Sequence, residues 1–191
     1  MKKYLVGIDI GTSSTKTTII DQNGETIIWV DEEYTIQSPH PGWAEQDPEI
    51  WFAAVIHTLQ KAVEQSGIPV DCIAGIGLAG QMHGLVCVDD TGSPLRPAII
   101  WADHRSKAEL EELNSRIGIG QLAEWVGNPV AAGFMLPSWL WLEKNEQEIT
   151  SRTRSLLLPK DYIRYRLTGS IGSEPSDASS TLLFDPHNRN W

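Results

Sequence analysis

Apolar and polar residues change their period several times along this chain, and each change marks an element. Tyr4 to Ile8 is a short apolar run ending at Asp9 and Gly11, Thr15 to Ile20 is β-branched, and Glu25 to Tyr34 is again strand-like. Asp21-Gln22-Asn23-Gly24 has the composition of a hairpin turn, so the first 34 residues predict a three-strand meander. A proline-rich loop at His40 to Trp43 follows, then Asp47-Pro48-Glu49, which offers an N-cap, a first-turn proline and a first-turn acid. Trp51, Val55, Leu59, Ala62 and Val63 recur at helical spacing, and Gly67 is placed to end that helix in a left-handed cap.

Beyond Gly67 the pattern predicts a buried strand at Ile73 to Ala79 with a hairpin partner at Leu85 to Val88. A turn at Asp89 to Gly92 and a further strand at Ala98 to Trp101 follow. Ser106 with Glu109 reads as a capping box ahead of Leu110 and Leu113. Pro137 opens a third helix reaching Leu142, and Asp161 to Leu167, closed by Gly169, is a fourth. Strands with interleaved helices and no internal repeat predict one α/β layered domain over residues 1–191.

Composition narrows the partners. Fifteen Lys and Arg against 25 Asp and Glu give a formal net charge of −10, which repels a phosphate backbone and argues against nucleic acid. Cys72 and Cys87 lie in apolar surroundings without metal-ligand spacing, and both are expected buried and reduced. The apolar start meets Asp9 too soon for a signal peptide, and no later run approaches membrane-spanning length, so the cytoplasm is the expected compartment.

Two glycine-rich stretches compete as phosphate loops. Gly75-Ile-Gly-Leu-Ala-Gly80 matches the dinucleotide fingerprint in letters, yet turn and strand residues follow it where a helix should open, and Asp89 and Asp90 come too early. Small residues packing a strand closely against a helix account for it. Asp9-Ile-Gly-Thr-Ser-Ser-Thr-Lys16 is the better candidate. Gly11 allows a tight turn, Thr12, Ser13 and Ser14 offer amides and hydroxyls to phosphate oxygens, Lys16 adds positive charge, and Asp9 suits hydrated Mg²⁺.

Gly7-Ile-Asp-Ile-Gly-Thr12 resembles the first phosphate loop of the sugar-kinase, actin and heat-shock ATPase superfamily. Pro41 to Pro48, Gly80-Gln-Met-His-Gly84, Pro97 to Arg105, Leu158-Pro-Lys-Asp-Tyr162, Leu167-Thr-Gly169 and Ser176-Asp-Ala-Ser179 resemble, in order, the landmarks of the FGGY carbohydrate kinases. The Gln81-Met82-His83-Gly84 segment is similar to the xylulokinase-like branch, whereas glycerol kinases carry Arg-Glu where Met82 and His83 stand.

The resemblance implies a ribonuclease-H-like, actin-like ATPase fold with a mixed sheet flanked by helices, and ATP- and Mg²⁺-dependent phosphorylation of a sugar, D-xylulose first. It implies that Gly11, Thr12, Ser13, Ser14 and Lys16 line the phosphate path, that Asp9 serves the metal, and that Gln81, Met82 and His83 meet the sugar. Read from the residues, Asp103 and Arg105 could either orient sugar hydroxyls or form a salt bridge that fixes their loop, the salt bridge being the favoured reading, and Trp101 is a candidate stacking ring. Ser138 stands where many xylulokinases have Lys, so no role is carried to it. The family's proton-accepting aspartate lies beyond the matched region, and with it a second domain. The isolated chain is therefore expected to be inactive and to self-associate, as a homodimer or otherwise, through exposed apolar surface. Competing expectations are an FGGY kinase for ribulose, gluconate or glycerol, a non-catalytic sugar-binding module, and last an actin-like or chaperone-like ATPase.

Overall fold

The structure, a computed structural model, describes residues 3–191. Along the chain run β1 (Tyr4–Ile10), β2 (Ser14–Asp21), β3 (Thr26–Glu33), β4 (Glu45–Gln46), α1 (Pro48–Ser66), β5 (Ile73–Gly80), β6 (Val86–Val88) and β7 (Ala98–Ile99). They are followed by α2 (Lys107–Arg116), α3 (Ile119–Val126), α4 (Met135–Asn145), α5 (Gln147–Arg152), β8 (Ser155–Leu157), α6 (Pro159–Thr168) and α7 (Pro175–Ser179). The residues cluster into two compact units, one drawn from the stretches up to Ile36 and Glu49–Gln81, the other from Gln37–Pro48 and Met82–Trp191.

In the first unit the expected meander forms a four-stranded mixed sheet of order β3-β2-β1-β5. β1 and β2 pair antiparallel from Tyr4↔Asp21 to Ile10↔Thr15, and β5 runs parallel to β1. The turn works as its residues suggest: Asp21 Oδ1 accepts from the amides of Asn23 and Glu25, and Gly24 takes φ +83°. Strand alternation buries Val6, Ile8 and Ile10 of β1 and Thr15, Thr17 and Ile19 of β2. Trp51, Ala54, Val55, Thr58 and Ala62 of α1 are buried too, and a 2.7 Å hydrogen bond joins the Thr17 and Thr58 hydroxyls. Gly67, at φ +64°, follows the end of α1. The opposite positions, Leu5, Ile27 and Trp29, are exposed.

The strand at Leu85 to Val88 is not a hairpin partner of β5. β6 instead pairs antiparallel with β8, and Leu85 bridges Ile99. The residues between explain the difference, because His83 takes φ +67° and the Gly84 amide donates to the Met82 carbonyl, turning the chain out of the β5 direction. In β5 itself, a Cβ at Gly75 or Gly77 would make only ordinary contacts of 3.8 and 3.9 Å, so close packing is not what these glycines provide.

In the second unit Leu85, Cys87, Ile99, Met135, Leu142 and Leu158 form the main core, with Trp139, Trp141, Ile149 and Leu156 against it. A smaller cluster joins Leu122, Val126 and Leu182. α4 begins two residues before Pro137, which therefore sits in the first turn, where its missing N–H costs nothing. α6 ends at Gly169 with φ +71°, as its sequence predicts. The capping box of α2 does not form. Ser106 is buried without a cap hydrogen bond, and Glu109 turns inward toward Lys144 at 3.2 Å. Both cysteines are free, Cys87 buried and Cys72 only half-buried. Among the described residues no helix is long and apolar enough to cross a membrane.

Candidate functional site

The first group of candidates surrounds the β1–β2 turn. The Gly11 amide donates to the Ser14 carbonyl at 3.0 Å, and a Cβ on residue 11 would sit 3.0 Å from that same oxygen, so the closeness of the turn requires glycine. Tyr34 braces it. Its hydroxyl donates to the Gly11 carbonyl at 2.7 Å and accepts from Thr15 Oγ1 at 3.2 Å, while its amide donates to the Ser13 carbonyl. Burial, with Asp9's charge adding to it, pushes the Tyr34 phenol up to about 12, so it stays a donor throughout the neutral range.

Asp9 and Lys16 are direct partners in the β1–β2 ladder and both are exposed; Asp31 of β3 stands opposite Lys16 on its other side. The end of the sheet thus presents a cation between two carboxylates beside a turn carrying Thr12, Ser13 and Ser14. Gln81 closes the β5 end, its amide donating to the Ile10 carbonyl at 2.8 Å. Among the described residues no group of three or more metal-ligating side chains exists. One exposed carboxylate does not cage a bare ion, but it fits Mg²⁺ that keeps its waters and arrives on a nucleotide.

The second unit carries Met82, His83 and Asp103. Met82 is 52 % exposed and His83 half-buried, its ring stacked on Phe134 with centroids 3.8 Å apart and planes 13° apart. Burial holds the imidazole below its usual 6.5, partly offset by the backbone of Ser180, whose carbonyl accepts from the ring. Nδ1 is buried without a hydrogen-bond partner. A positive φ on a non-glycine residue is strain of the kind that persists where surroundings over-determine the backbone. Gly84 follows because a Cβ there would lie 2.8 Å from Pro159 Cγ, at the start of α6.

Asp103 takes the loop-fixing role with Arg105 rather than that of a sugar contact. It is fully buried, and its oxygens accept from the Ala44 amide at 2.6 Å, the Arg105 amide at 2.8 Å, and Arg105 Nε and Nη2 at 3.0 and 2.8 Å. With about four lone-pair sites filled, it has none to give a ligand. Its loop is held further by Arg105 reaching Glu45 at 2.7 Å and lying 3.6 Å over the Trp43 ring, while Arg96 pairs with Glu45 and Glu146. Trp101, in the turn that this network steadies, remains 43 % exposed.

Tyr34, Phe134 and Ser180 were not among the residues picked from sequence. Tyr34 closes the predicted third strand, 23 residues from the glycine it braces. Phe134 and Ser180 lie far along the chain from His83, with no local pattern joining them.

The profile of the FGGY family of carbohydrate kinases, N-terminal domain, matches residues 4–191 and so spans both units. The chain is 40 % identical over 188 residues to a xylulose kinase of Staphylococcus xylosus, covering 98 % of this chain and 38 % of that protein. It is 43 % identical over 189 residues to a xylulose kinase of Lactococcus lactis, covering 98 % and 37 %. Among solved structures it is similar to a ligand-bound xylulose kinase of Lactobacillus acidophilus, with TM-score 0.92, 28 % identity and coverage of 99 % and 38 %. A gluconate kinase of the same organism gives TM-score 0.90, 29 % identity and coverage of 97 % and 37 %. The chain spans less than two-fifths of the length of these relatives. Its fold is that of the FGGY sugar kinases, the expected actin-like ATPase class with a mixed sheet flanked by helices. By sequence and by fold, this chain belongs to the FGGY family of carbohydrate kinases, over the family's N-terminal domain.

Proposed function

We propose that this chain forms the N-terminal part of an ATP-dependent xylulose kinase, which converts D-xylulose and ATP to D-xylulose 5-phosphate and ADP. The observation that carries the reading is the Gln81-Met82-His83-Gly84 turn. It sets an imidazole at φ +67° beside an exposed thioether, in a chain about 40 % identical to xylulose kinases. His83 exchanges a hydrogen bond with a sugar hydroxyl, and Met82 supplies an adaptable apolar wall. Phosphoryl transfer rests on positioning and charge. Gly11 keeps the turn tight, Thr12, Ser13 and Ser14 donate to phosphate oxygens, and Lys16 offsets their charge. Asp9 holds nucleotide-borne Mg²⁺, which when bound neutralises charge on the transferring phosphates. The group that accepts the hydroxyl proton is assigned to no residue of this chain. Such a kinase works where ATP is plentiful, in the cytoplasm, and Leu5, Ile27 and Trp29 on the outer sheet face are where self-association would occur.

A calorimetric titration of the chain with D-xylulose, with a His83→Ala variant and a glycerol arm beside it, tests the reading. Heat of binding for xylulose that the variant loses is the expected result; equal or stronger binding of glycerol overturns it. The fold likeness to a gluconate kinase favours gluconate as the second reading, and a gluconate arm that outcompetes xylulose would establish it.

A further inference from the structure

The Leu158-Pro-Lys-Asp-Tyr162 and Ser176-Asp-Ala-Ser179 segments carry no part of the chemistry above, yet the second unit brings them together around a half-buried lysine. Lys160 Nζ lies 2.7 Å from Asp161 Oδ1 and 3.4 Å from Asp177 Oδ2, with side chains that are 13 %, 3 % and 12 % exposed. Glu174 joins the cluster by capping α7, accepting from the amides of Ser176 and Asp177 at 2.8 Å each. Asp177 then leads on to Ser180. Its carbonyl accepts from the Ser180 amide at 3.0 Å and from the Ser180 hydroxyl at 2.7 Å. Ser180 is buried, and its own carbonyl is the acceptor that faces the His83 ring. On either side Asn128 Nδ2 holds the Ser179 hydroxyl at 2.7 Å and the Leu136 amide holds the Thr181 carbonyl at 3.1 Å.

We propose that Lys160 is a positioning residue for the His83 imidazole: by holding Asp177 it fixes α7 and the Ser180 carbonyl, and so fixes which ring nitrogen carries the proton. The nitrogen facing that carbonyl must be the donor, which leaves Nδ1, buried and unpartnered, as the acceptor. A single fixed tautomer gives the ring one defined donor and one defined acceptor. Two carboxylates meet at one ammonium here, and Glu174 adds its charge beside Asp177. Burial opposes the charge on Lys160, but Asp161 and Asp177 still hold it above its usual value, while burial raises Asp177 against Lys160's pull. Removing the cation leaves Asp161, Asp177 and Glu174 mutually repelling, and the first piece free to move is the short helix that carries Ser180. Any consequence for sugar binding rests on the proposed role of His83; the positioning itself does not.

The test is ¹⁵N NMR of the His83 ring in the 191-residue chain, in Lys160→Met and in Lys160→Arg. The unsubstituted chain should show two well-separated ring nitrogens, the signature of one tautomer. In Lys160→Met the two shifts should collapse toward a common value, and Lys160→Arg should restore the separation. An unchanged separation in Lys160→Met overturns the proposal. If that variant does not fold, Asp177→Asn, which keeps the side chain's shape and removes its charge, is read in the same way, and an unchanged separation there is equally fatal. D-xylulose added to the unsubstituted chain separates the two ideas, because His83 shifts that ignore the sugar refute the sugar contact and leave the tautomer result standing.

Discussion

Asp9 and Lys16 stand directly opposite one another across the β1–β2 ladder, both exposed, where the strands reach the Gly11–Ser14 turn. A cross-strand pair of opposite charge at a sheet end is ordinary as a stabiliser, worth little when solvated. Its placement beside a turn of small hydroxyl residues gives it another use. A nucleotide phosphate would take Lys16 from Asp9, and Asp9 would turn to the metal that the nucleotide carries. Lys16→Met should therefore weaken Mg²⁺-ATP binding roughly tenfold, the scale of one charge-assisted hydrogen bond. Asp9→Asn should weaken binding of Mg²⁺-ATP but leave metal-free ATP bound as well or better, since a repelling charge is gone. Fluorescence titration with and without Mg²⁺ reads both, and equal losses in both arms for Asp9→Asn would remove it from the metal role.

Thr17 and Thr58 share a buried 2.7 Å contact whose direction can be assigned. Thr58 Oγ1 already donates to the Ala54 carbonyl at 2.8 Å, so the proton between the two threonines belongs to Thr17. The two valine substitutions are then unequal. Thr58→Val strands a buried donor on Thr17 and should cost about 1–3 kcal/mol, whereas Thr17→Val leaves Thr58 still bonded and should cost about 0.5–1.5 kcal/mol. The double variant should lose less than the sum. Urea unfolding of the three variants measures it, and equal single costs would mean the assigned direction is wrong.

Gly133 is needed for space as well as conformation. It sits at φ +86°, and a Cβ there would clash with the Trp101 carbonyl oxygen and come within 2.9 Å of the Asp103 carbonyl oxygen, both backbone atoms that cannot swing away. Gly133→Ala combines an unfavourable left-handed backbone with overpacking and should destabilise by about 2–4 kcal/mol. The damage should centre on the turn at Trp101. Thermal unfolding gives the cost, and a Trp101→Phe background identifies the tryptophan whose emission moves; a variant as stable as the parent would show that the turn readily gives way.

What was legible from sequence was local. The meander declared itself through β-branched runs around an Asn-Gly turn, and α1 through Asp47-Pro48-Glu49 at one end and Gly67 at the other, because strand period, turn chemistry and caps act within a few residues. The pairing of β5 was not legible. A hairpin to the next strand is the short-range guess, while the parallel partner β1 lies some 70 residues earlier and leaves no local trace. Helices α3, α5 and α7 were missed for lack of length, having 8, 6 and 5 residues. Ser106 looked like a cap, but tertiary burial claimed its side chain. The same limit divides the candidate site: the phosphate turn and the Gln-Met-His-Gly segment could be picked out, whereas Tyr34, Phe134 and Ser180 reach their partners only through folding.

His83 gives the chain a pH dependence whose sign can be worked out. Burial holds the folded imidazole below 6.5, so as pH falls through 6.5 the unfolded chain takes up a proton that the folded chain refuses. Folding stability therefore falls as pH drops below 6.5, at a limiting slope of about 1.4 kcal/mol per pH unit, and levels off once the folded imidazole is itself protonated. Asp177 acts in the opposite sense at more acid pH: its carboxyl is raised above 3.8 by burial, so its contribution grows as pH falls toward 3.8. Comparing urea unfolding of the chain with that of His83→Gln isolates the first effect, because Asp177 is common to both. The stability difference, parent minus variant, should shrink between pH 7.5 and 5.5. A flat difference would mean that the ring is as easily protonated folded as unfolded, which is incompatible with an imidazole pressed against Phe134 and shielded from water.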